Sequence, residues 1–148
     1  MATKYPGTTS ERRALNTYIN LLRCSEVVSA DTTRHLAAEK LTVGQFGTLE
    51  ALYHLGPLCQ RDIGRKLLRS GGNVTTVVDN LEKRGLVKRR RQAEDRRYYS
   101  VALTDSGREL IARIMPRQVA GIKQRLAVLS AEDQETLRRL CRKLGVGD

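Results

Sequence analysis

The sequence lacks any long apolar run. No segment approaches the roughly 18 consecutive apolar residues that a transmembrane helix needs. Residues 1–7 contain no apolar core of the kind found in secretory signal peptides. These absences exclude a membrane-spanning protein and lead us to expect a cytoplasmic one.

Cysteine and histidine are also scarce. The three cysteines, Cys24, Cys59 and Cys141, lie far apart, and the two histidines are His35 and His54. An odd, scattered set of cysteines argues against a disulfide framework. Because the sequence has no Cys-x-x-Cys pair, we expect no metal site and no other cofactor.

Patterns that carry enzymatic chemistry are missing as well. We find no Ser-His-Asp or Cys-His constellation and no paired carboxylates in an apolar setting. Gly71-Gly72 is not followed by the Lys-Ser/Thr pair of a phosphate-binding loop. The sequence therefore indicates a binding protein rather than an enzyme.

Acidic residues are few relative to basic ones. Among 148 residues, 27 lysines and arginines stand against 16 aspartates and glutamates, which gives a formal net charge of +11. Such a balance favours a polyanionic partner, with nucleic acid first and an anionic membrane second. A merely soluble basic protein is the alternative. The densest charge, in residues 83–97, falls on a predicted hairpin rather than an amphipathic helix, so we expect no membrane partner.

One predicted helix lies at the centre of the pattern. Its apolar face has the spacing of a helix and consists of Val74, Val77, Val78 and Leu81. Ser70 or Asn73 can cap its start, and Gly85 can end it in the left-handed conformation. The opposite face is polar and mostly uncharged, unlike a solubility face, and consists of Asn73, Thr75, Thr76, Asn80 and Lys83.

A basic hairpin follows this helix. Residues 87–91 are predicted as a short basic strand and residues 97–103 as a second strand after a polar turn. The second strand alternates, and its predicted face is Tyr99, Val101 and Leu103. With a preceding helix at about residues 60–68, the pattern predicts a winged helix-turn-helix with a two-stranded wing, a fold that holds DNA.

The N-terminal part is predicted to be helical. A capping box at Thr8 and Glu11 opens a helix over about residues 9–29. Ser29–Asp31 is expected to interrupt it, with Asp31 capping a short helix over residues 32–39. A second capping box, Thr42 with Gln45, opens the next helix.

Two further helices are predicted after the hairpin. Thr104 opens the first, which Pro116 is expected to kink or break. Its apolar seam, suited to a partner helix, consists of Ile111, Met115, Val119, Ile122, Leu126 and Leu129. Ser130 opens the last helix.

The terminal helices are too amphipathic to stand alone in water. We therefore predict a mainly α (α+β) homodimer, the alternative being that these helices pack only on their own domain. The expected division is an N-terminal tail and dimerisation helices (1–41), a DNA-binding region (42–104) and C-terminal dimerisation helices (105–148). The expected interface residues are Leu15, Tyr18, Ile19, Leu22, Ile122, Leu126, Leu137, Leu140, Cys141 and Leu144.

The run SGGNVTTVVDNLEKRGLV at residues 70–87, with Glu94-Asp95-Arg96-Arg97 and Leu103-Thr104, resembles the MarR family of bacterial transcriptional regulators. The likeness covers roughly residues 10–145. It implies an obligate homodimer with interlocked terminal helices and two winged lobes. It also implies regulation by a small effector bound between lobe and dimer region, or by cysteine oxidation. A non-specific architectural DNA-binding protein is the alternative.

The polar face is expected to read double-stranded DNA. Asn73, Thr75, Thr76 and Asn80 suit the major groove, where Asn bonds adenine in two places and a Thr methyl touches thymine. In the alternative, Asn73 is only a helix cap and the two threonines are ordinary surface residues. A symmetric dimer predicts an inverted repeat with half-sites about one helical turn apart.

Basic residues are expected to hold the DNA backbone. Lys83, Arg89 and Arg91 are assigned to phosphates, and Arg96 belongs to the same basic stretch. The resemblance makes Arg97 the wing arginine that enters the minor groove, with Asp95 orienting it. In the alternative, Asp95 and Arg97 form only a salt bridge in a turn.

Cys59 and Cys24 are the candidate redox sensors. Cys59 lies at the start of a helix, where a thiol can react with peroxide; the favoured alternative is a small residue that replaces a Ser or Thr cap. Cys24 lies in the first helix, where peroxide-sensing relatives carry a reactive cysteine. Matching Leu21-Leu22 to those relatives places their cysteine nearer Ile19, so Cys24 does not occupy the position of their reactive cysteine.

Overall fold

The structure is a computed structural model that describes residues 3–67, 71–91 and 99–145. Its α-helices are α1 (Thr9–Thr33), α2 (Val43–Leu55), α3 (Gln60–Leu67), α4 (Gly71–Lys83), α5 (Asp105–Leu126) and α6 (Ala131–Gly145). A 3-10 helix covers Arg34–Glu39, and the strands are β1 (Leu58–Cys59), β2 (Val87–Arg91) and β3 (Tyr99–Leu103). The predicted mainly α winged helix-turn-helix is confirmed, with α3 and α4 as the helix pair and β2 and β3 as the wing.

The chain divides into two compact units. One unit consists of residues 35–119. The other combines residues up to Arg34 with residues from Ala120 onward, so α5 begins in one unit and ends in the other.

The unit of residues 35–119 is built around the apolar face of α4. Val74, Val78 and Leu81 are at most 1% exposed, and Val77 packs beside them as a partly buried residue. This face is the one that the sequence predicts. The core is completed by side chains from every neighbouring element, among them Leu36, Phe46, Leu49, Leu52, Ile63, Val87, Val101 and Ile111.

The wing belongs to an antiparallel sheet with the strand order β1-β3-β2. β2 pairs with β3 in a register that sets Arg89 opposite Val101 and Arg91 opposite Tyr99. β1 pairs with β3 at Leu58 and Val101. The sequence predicts only the two wing strands, because a strand of two residues has no periodicity and exists only through its distant partner.

The end of α4 is fixed by a glycine. Gly85 has φ +69°, a conformation that costs residues with a β-carbon about 1–2 kcal/mol. Its N–H donates to the carbonyl of Glu82 at 2.9 Å, and the N–H of Leu86 donates to the carbonyl of Leu81 at 3.0 Å. These two bonds form a Schellman motif, and the predicted left-handed end of the helix at Gly85 is confirmed.

One predicted helix start is wrong, and one of the two caps predicted for α4 is excluded. Asp31 does not begin a helix, because α1 continues to Thr33 and a 3-10 helix follows directly. The hydroxyl of Thr32 donates to the carbonyl of Val28 at 2.8 Å, one turn earlier in the same helix. Asn73 is not the cap of α4, since the helix begins at Gly71; Ser70 lies outside the described residues.

The predicted seam on α5 is only partly available to a partner. Ile111 is fully buried in the core of its own chain, and Met115 packs against that core. Val119 and Ile122 remain exposed. Pro116 does not break the helix, because α5 is continuous from Asp105 to Leu126.

The other unit contains α1, the end of α5, and α6. The predicted capping box between Thr8 and Glu11 is confirmed, and Ser130 caps α6 by accepting from the N–H of Asp133 at 3.1 Å. No residue of α6 is buried. Among the described residues, no helix has the length and apolar character needed to span a bilayer.

Candidate nucleic-acid interface

The outer face of α4 presents a set of polar side chains. All five predicted residues of this face are exposed, namely Asn73, Thr75, Thr76, Asn80 and Lys83. The helix is held by its opposite, buried face, so the polar face is available without any change in packing. Four neutral hydrogen-bonding side chains and one cation can both read base edges and hold a phosphate.

The basic strand β2 alternates between faces. Val87 is buried, whereas Lys88, Arg90 and Arg91 are exposed. The Nε atom of Arg91 donates to the hydroxyl of Tyr99 at 3.0 Å, and the guanidinium carbon lies 5.6 Å from the centre of that ring. This contact gives Arg91 a fixed position on the wing while leaving it accessible to a phosphate.

Arg89 is held differently, because its guanidinium points to α3 and α4. Nη2 donates to Asp79, Nη1 to Glu82, and Nε to the side-chain oxygen of Gln60 at 3.1 Å. Burial by itself lowers the pKa of Arg89, but the hydrogen bonds to Asp79 and Glu82 outweigh it and raise the pKa above its ordinary value. The predicted phosphate ligand thus has three protein partners in this structure.

Gln60 is a residue of this region that the sequence does not single out. It is the first residue of α3, and its side-chain nitrogen donates to the hydroxyl of Thr75 at 3.1 Å. The same amide accepts from Arg89. Nothing local in the sequence signals this contact, because Thr75 is 15 positions away and Arg89 is 29 positions away.

Arg84, just after the end of α4, bonds to the end of the 3-10 helix. Its Nη1 donates to the carbonyl of Lys40 at 2.8 Å, and its Nη2 donates to the carbonyl of Glu39 at 3.1 Å. Cations favour the carbonyl end of a helix, so Arg84 caps the segment that precedes α2. The carboxylate of Glu39 also accepts hydrogen bonds from Nη1 and Nη2 of Arg113, at 2.8 and 3.1 Å.

The tip of the wing falls in a part of the chain that the structure does not describe. Asp95, Arg96 and Arg97 all lie in residues 92–98, outside the described residues. Their assigned roles, minor-groove contact for Arg97 and orientation for Asp95, therefore stay predictions.

The ten residues predicted for a dimer interface are at least partly accessible. Leu15, Ile19 and Leu126 are half-buried. The others are exposed, and they are Tyr18, Leu22, Ile122, Leu137, Leu140, Cys141 and Leu144. All ten lie in the unit that combines the two ends of the chain.

The cysteines are free thiols in the described structure. Cys24 and Cys141 are exposed, and Cys59 is half-buried. The thiol of Cys59 donates to a carboxylate oxygen of Asp62 at 3.1 Å, so its hydrogen is engaged. Across residues 3–67, 71–91 and 99–145, no group of three His, Cys, Asp or Glu side chains could hold a metal.

Comparison with known proteins identifies the same type of DNA-binding region. The model of the MarR family matches residues 41–99, which contain both helices of the helix-turn-helix. The HTH-type transcriptional regulator YkoM of Bacillus subtilis (strain 168) is 34% identical over 134 residues, which are 90% of this chain and 87% of that protein.

Solved structures give the same result for the fold. Bordetella bronchiseptica BpsR, in a study of how 6-hydroxynicotinic acid regulates its DNA binding, superposes with a TM-score of 0.84 at 25% identity. The match covers 97% of this chain and 100% of that one. The S. aureus MepR–DNA complex superposes with a TM-score of 0.77 at 28% identity, covering 86% and 95% of the two chains.

Proposed function

We propose, from the premise that the chain belongs to the MarR family of transcriptional regulators and is not an enzyme, that it is a sequence-specific repressor. In this proposal it binds an inverted-repeat operator in double-stranded DNA as a homodimer. A small-molecule effector or an oxidant releases it. Because it acts on an operator, we expect the protein to be cytoplasmic.

The observation that carries the proposal is the division of α4 into two faces. Val74, Val78 and Leu81 fix the helix to the core, and the exposed face carries neutral hydrogen-bonding residues. A helix of this kind fits the major groove, where such side chains distinguish base pairs. Lys83 and Arg91, both exposed, supply phosphate contacts that set the register.

Homodimerisation is supported by the apolar side chains at the two ends of the chain. α6 buries no residue within the chain, although Leu137, Leu140 and Leu144 repeat along one side. Large exposed apolar patches are rare on monomers and mark interaction surfaces. A second copy of the chain would cover them and would place two winged lobes on one duplex.

Regulation by a small effector is supported by a relative and by two polar atoms. BpsR is a relative whose DNA binding is regulated by 6-hydroxynicotinic acid. In this chain, Nε2 of His35 and Oε1 of Gln118 are buried and have no hydrogen-bond partner among the described residues. Unsatisfied buried polar atoms cost stability, and an effector that paired with either of them would recover part of that cost.

Oxidation is the second mode of release in this proposal, through Cys24 or Cys59. Cys24 is the more accessible of the two. Peroxide should then weaken DNA binding by the wild type and leave a variant with all three cysteines replaced by serine unaffected. Equal release of that variant by peroxide would remove the oxidant from the proposal.

A non-specific architectural DNA-binding protein remains the second candidate, favoured by the net charge of +11. Sequencing the genomic fragments that the protein retains identifies a bound sequence. A mobility-shift assay then compares the affinity for that sequence with the affinity for an unrelated duplex. Specific binding should survive a large excess of unrelated competitor. Equal competition by both duplexes would favour the architectural function.

A further inference from the structure

The guanidinium of Arg89 uses all three of its nitrogens within the protein. They donate to Asp79 and Glu82 on α4 and to Gln60 on α3, while the residue itself belongs to β2 of the wing. Its side chain is 22% exposed. A single residue of the wing is thus bonded to α3 and to α4, the helix that carries the proposed DNA-contacting face.

The backbone of Arg89 adds to this connection. β2 is an edge strand of the described sheet, and its edge carries main-chain groups that β3 does not pair. The N–H of Arg89 donates to Glu82 at 3.4 Å, so the carboxylate of α4 contacts both the main chain and the side chain of the wing residue.

The local charge argues against Arg89 as a phosphate ligand. One guanidinium faces two carboxylates, Asp79 and Glu82, so the group as a whole is not cationic. Three of its five N–H donors are engaged, and a phosphate that approached the guanidinium would lie close to both carboxylates and be repelled by them. Lys83 and Arg91 offer accessible positive charge without that cost.

Stability is a weak reason for this arrangement. The side chains of Asp79 and Glu82 are more than 40% exposed. Ion pairs accessible to water contribute roughly 1 kcal/mol or less to folding. A positioning role explains all three bonds better: the planar arginine side chain fixes the wing against α4.

Gln60 extends the network to the recognition face. Because Arg89 can only donate, the amide oxygen of Gln60 faces Arg89 and its nitrogen faces Thr75. The position of the Thr75 hydroxyl on α4 is therefore linked to the position of the wing. We infer that Arg89 and Gln60 are positioning residues that fix the wing and Thr75 in the geometry that binds DNA, and that Arg89 does not contact a phosphate.

This inference rests on the proposed function, and the test must separate the two. The affinity of the full-length protein for its selected operator is measured from about 50 to 200 mM salt. The variants are Arg89→Lys, Arg89→Gln and Gln60→Ala. The control is Arg90→Lys, which makes the same change at the next, exposed position of β2.

Arg89→Lys should lower operator affinity by about tenfold, because a lysine cannot reach three acceptors at once. The slope of log affinity against log salt should be unchanged, because no phosphate contact is lost. Arg90→Lys should stay within about twofold of the wild type, since its charge is kept. Gln60→Ala should weaken operator binding and relax base preference in the half-sites that α4 contacts.

Each possible result has a definite meaning. Wild-type protein that does not prefer its operator overturns the proposed function, and the inference with it. Wild-type specificity together with full affinity of Arg89→Lys overturns the inference alone. The inference is also overturned if Arg89→Gln reduces the slope of log affinity against log salt by about two, one for each lobe of a dimer. That result would reveal a phosphate contact.

Thermal unfolding separates positioning from stabilisation. A residue that only stabilises the fold would lower the melting temperature and leave the affinity of the folded protein unchanged, which would overturn the inference. If Arg89→Lys does not fold at the assay temperature, Gln60→Ala decides the question, because it leaves both ion pairs of Arg89 in place. Unchanged base preference in that variant would overturn the inference.

Discussion

Gly107 lies directly against the main chain of Leu86. A β-carbon on Gly107 would be 1.9 Å from the carbonyl oxygen of Leu86 and 2.9 Å from its carbonyl carbon. The same oxygen accepts the N–H of Thr104 at 3.1 Å. The first turn of α5 is therefore packed on the turn that ends α4, and only glycine fits there.

The first prediction concerns this contact. Gly107→Ala should lower the free energy of unfolding by roughly 2–4 kcal/mol, because the neighbour is backbone and cannot move aside like a flexible side chain. Urea unfolding measures the change. Gly121→Ala, in the same helix but with no atom within 4 Å of the added carbon, is the control and should be neutral or slightly stabilising. Equal stability of the two variants would contradict the packing.

The second prediction concerns base reading by α4. Asn80→Ala should reduce the ratio of operator affinity to affinity for unrelated DNA by about 5- to 100-fold, because a bidentate contact to a base is lost. Binding to unrelated DNA should hardly change. Asn20→Ala removes the same side chain from an exposed position of α1 and should leave the ratio as it is. A mobility-shift series on both duplexes measures it, and an unaltered ratio for Asn80→Ala would remove Asn80 from the interface.

The third prediction concerns the wing tip, where the assignment of Arg97 comes from the family resemblance. Arg97→Ala should weaken operator binding most when the DNA flanking the half-sites is rich in A·T pairs, because a narrow minor groove attracts arginine. Replacing those flanks by G·C pairs should reduce the difference between wild type and variant. Affinities for the two duplexes, measured by fluorescence anisotropy, test this. Unchanged affinity on both duplexes would contradict a wing role.

The fourth prediction concerns the dimer. Leu140→Glu places a charge on the apolar side of α6 and should convert the protein to a monomer with much weaker operator binding. Leu55→Glu is the control, because Leu55 on α2 has nearly the same exposure as Leu140, 53% against 50%. Sedimentation velocity should report a dimer for the Leu55 variant. A dimer in both variants would show that α6 is not the interface.

Local signals in the sequence predict much of the fold correctly. The capping boxes Thr8–Glu11 and Thr42–Gln45 and the end of α4 at Gly85 are all present. Each depends on residues a few positions apart, so short patterns suffice to find it. The apolar face of α4 is predicted for the same reason.

The errors arise where distant residues decide the outcome. Asp31 reads as a helix cap, but its carboxylate pairs with Arg34 and Arg125 and the helix passes through it. Ile111 fits a partner-facing seam in the sequence, yet it is buried in its own core.

The candidate site divides in the same way. The five polar residues of α4 follow from helical periodicity, and the structure finds each of them exposed. The partners of Arg89 do not follow from the sequence, because Asp79, Glu82 and Gln60 are brought to it by the packing of β2 against two helices. Charge alone makes Arg89 look like the other arginines of its strand.

Selection of bound duplexes from a random library, followed by sequencing, tests the central claim most directly. If the polar face of α4 reads DNA in a symmetric dimer, the wild type should enrich an inverted repeat with half-site centres about 10 base pairs apart. Asn80→Ala should lose the preference at fixed positions of each half-site. A wild-type selection that enriches no sequence, or enriches one that Asn80→Ala selects equally well, would contradict the account.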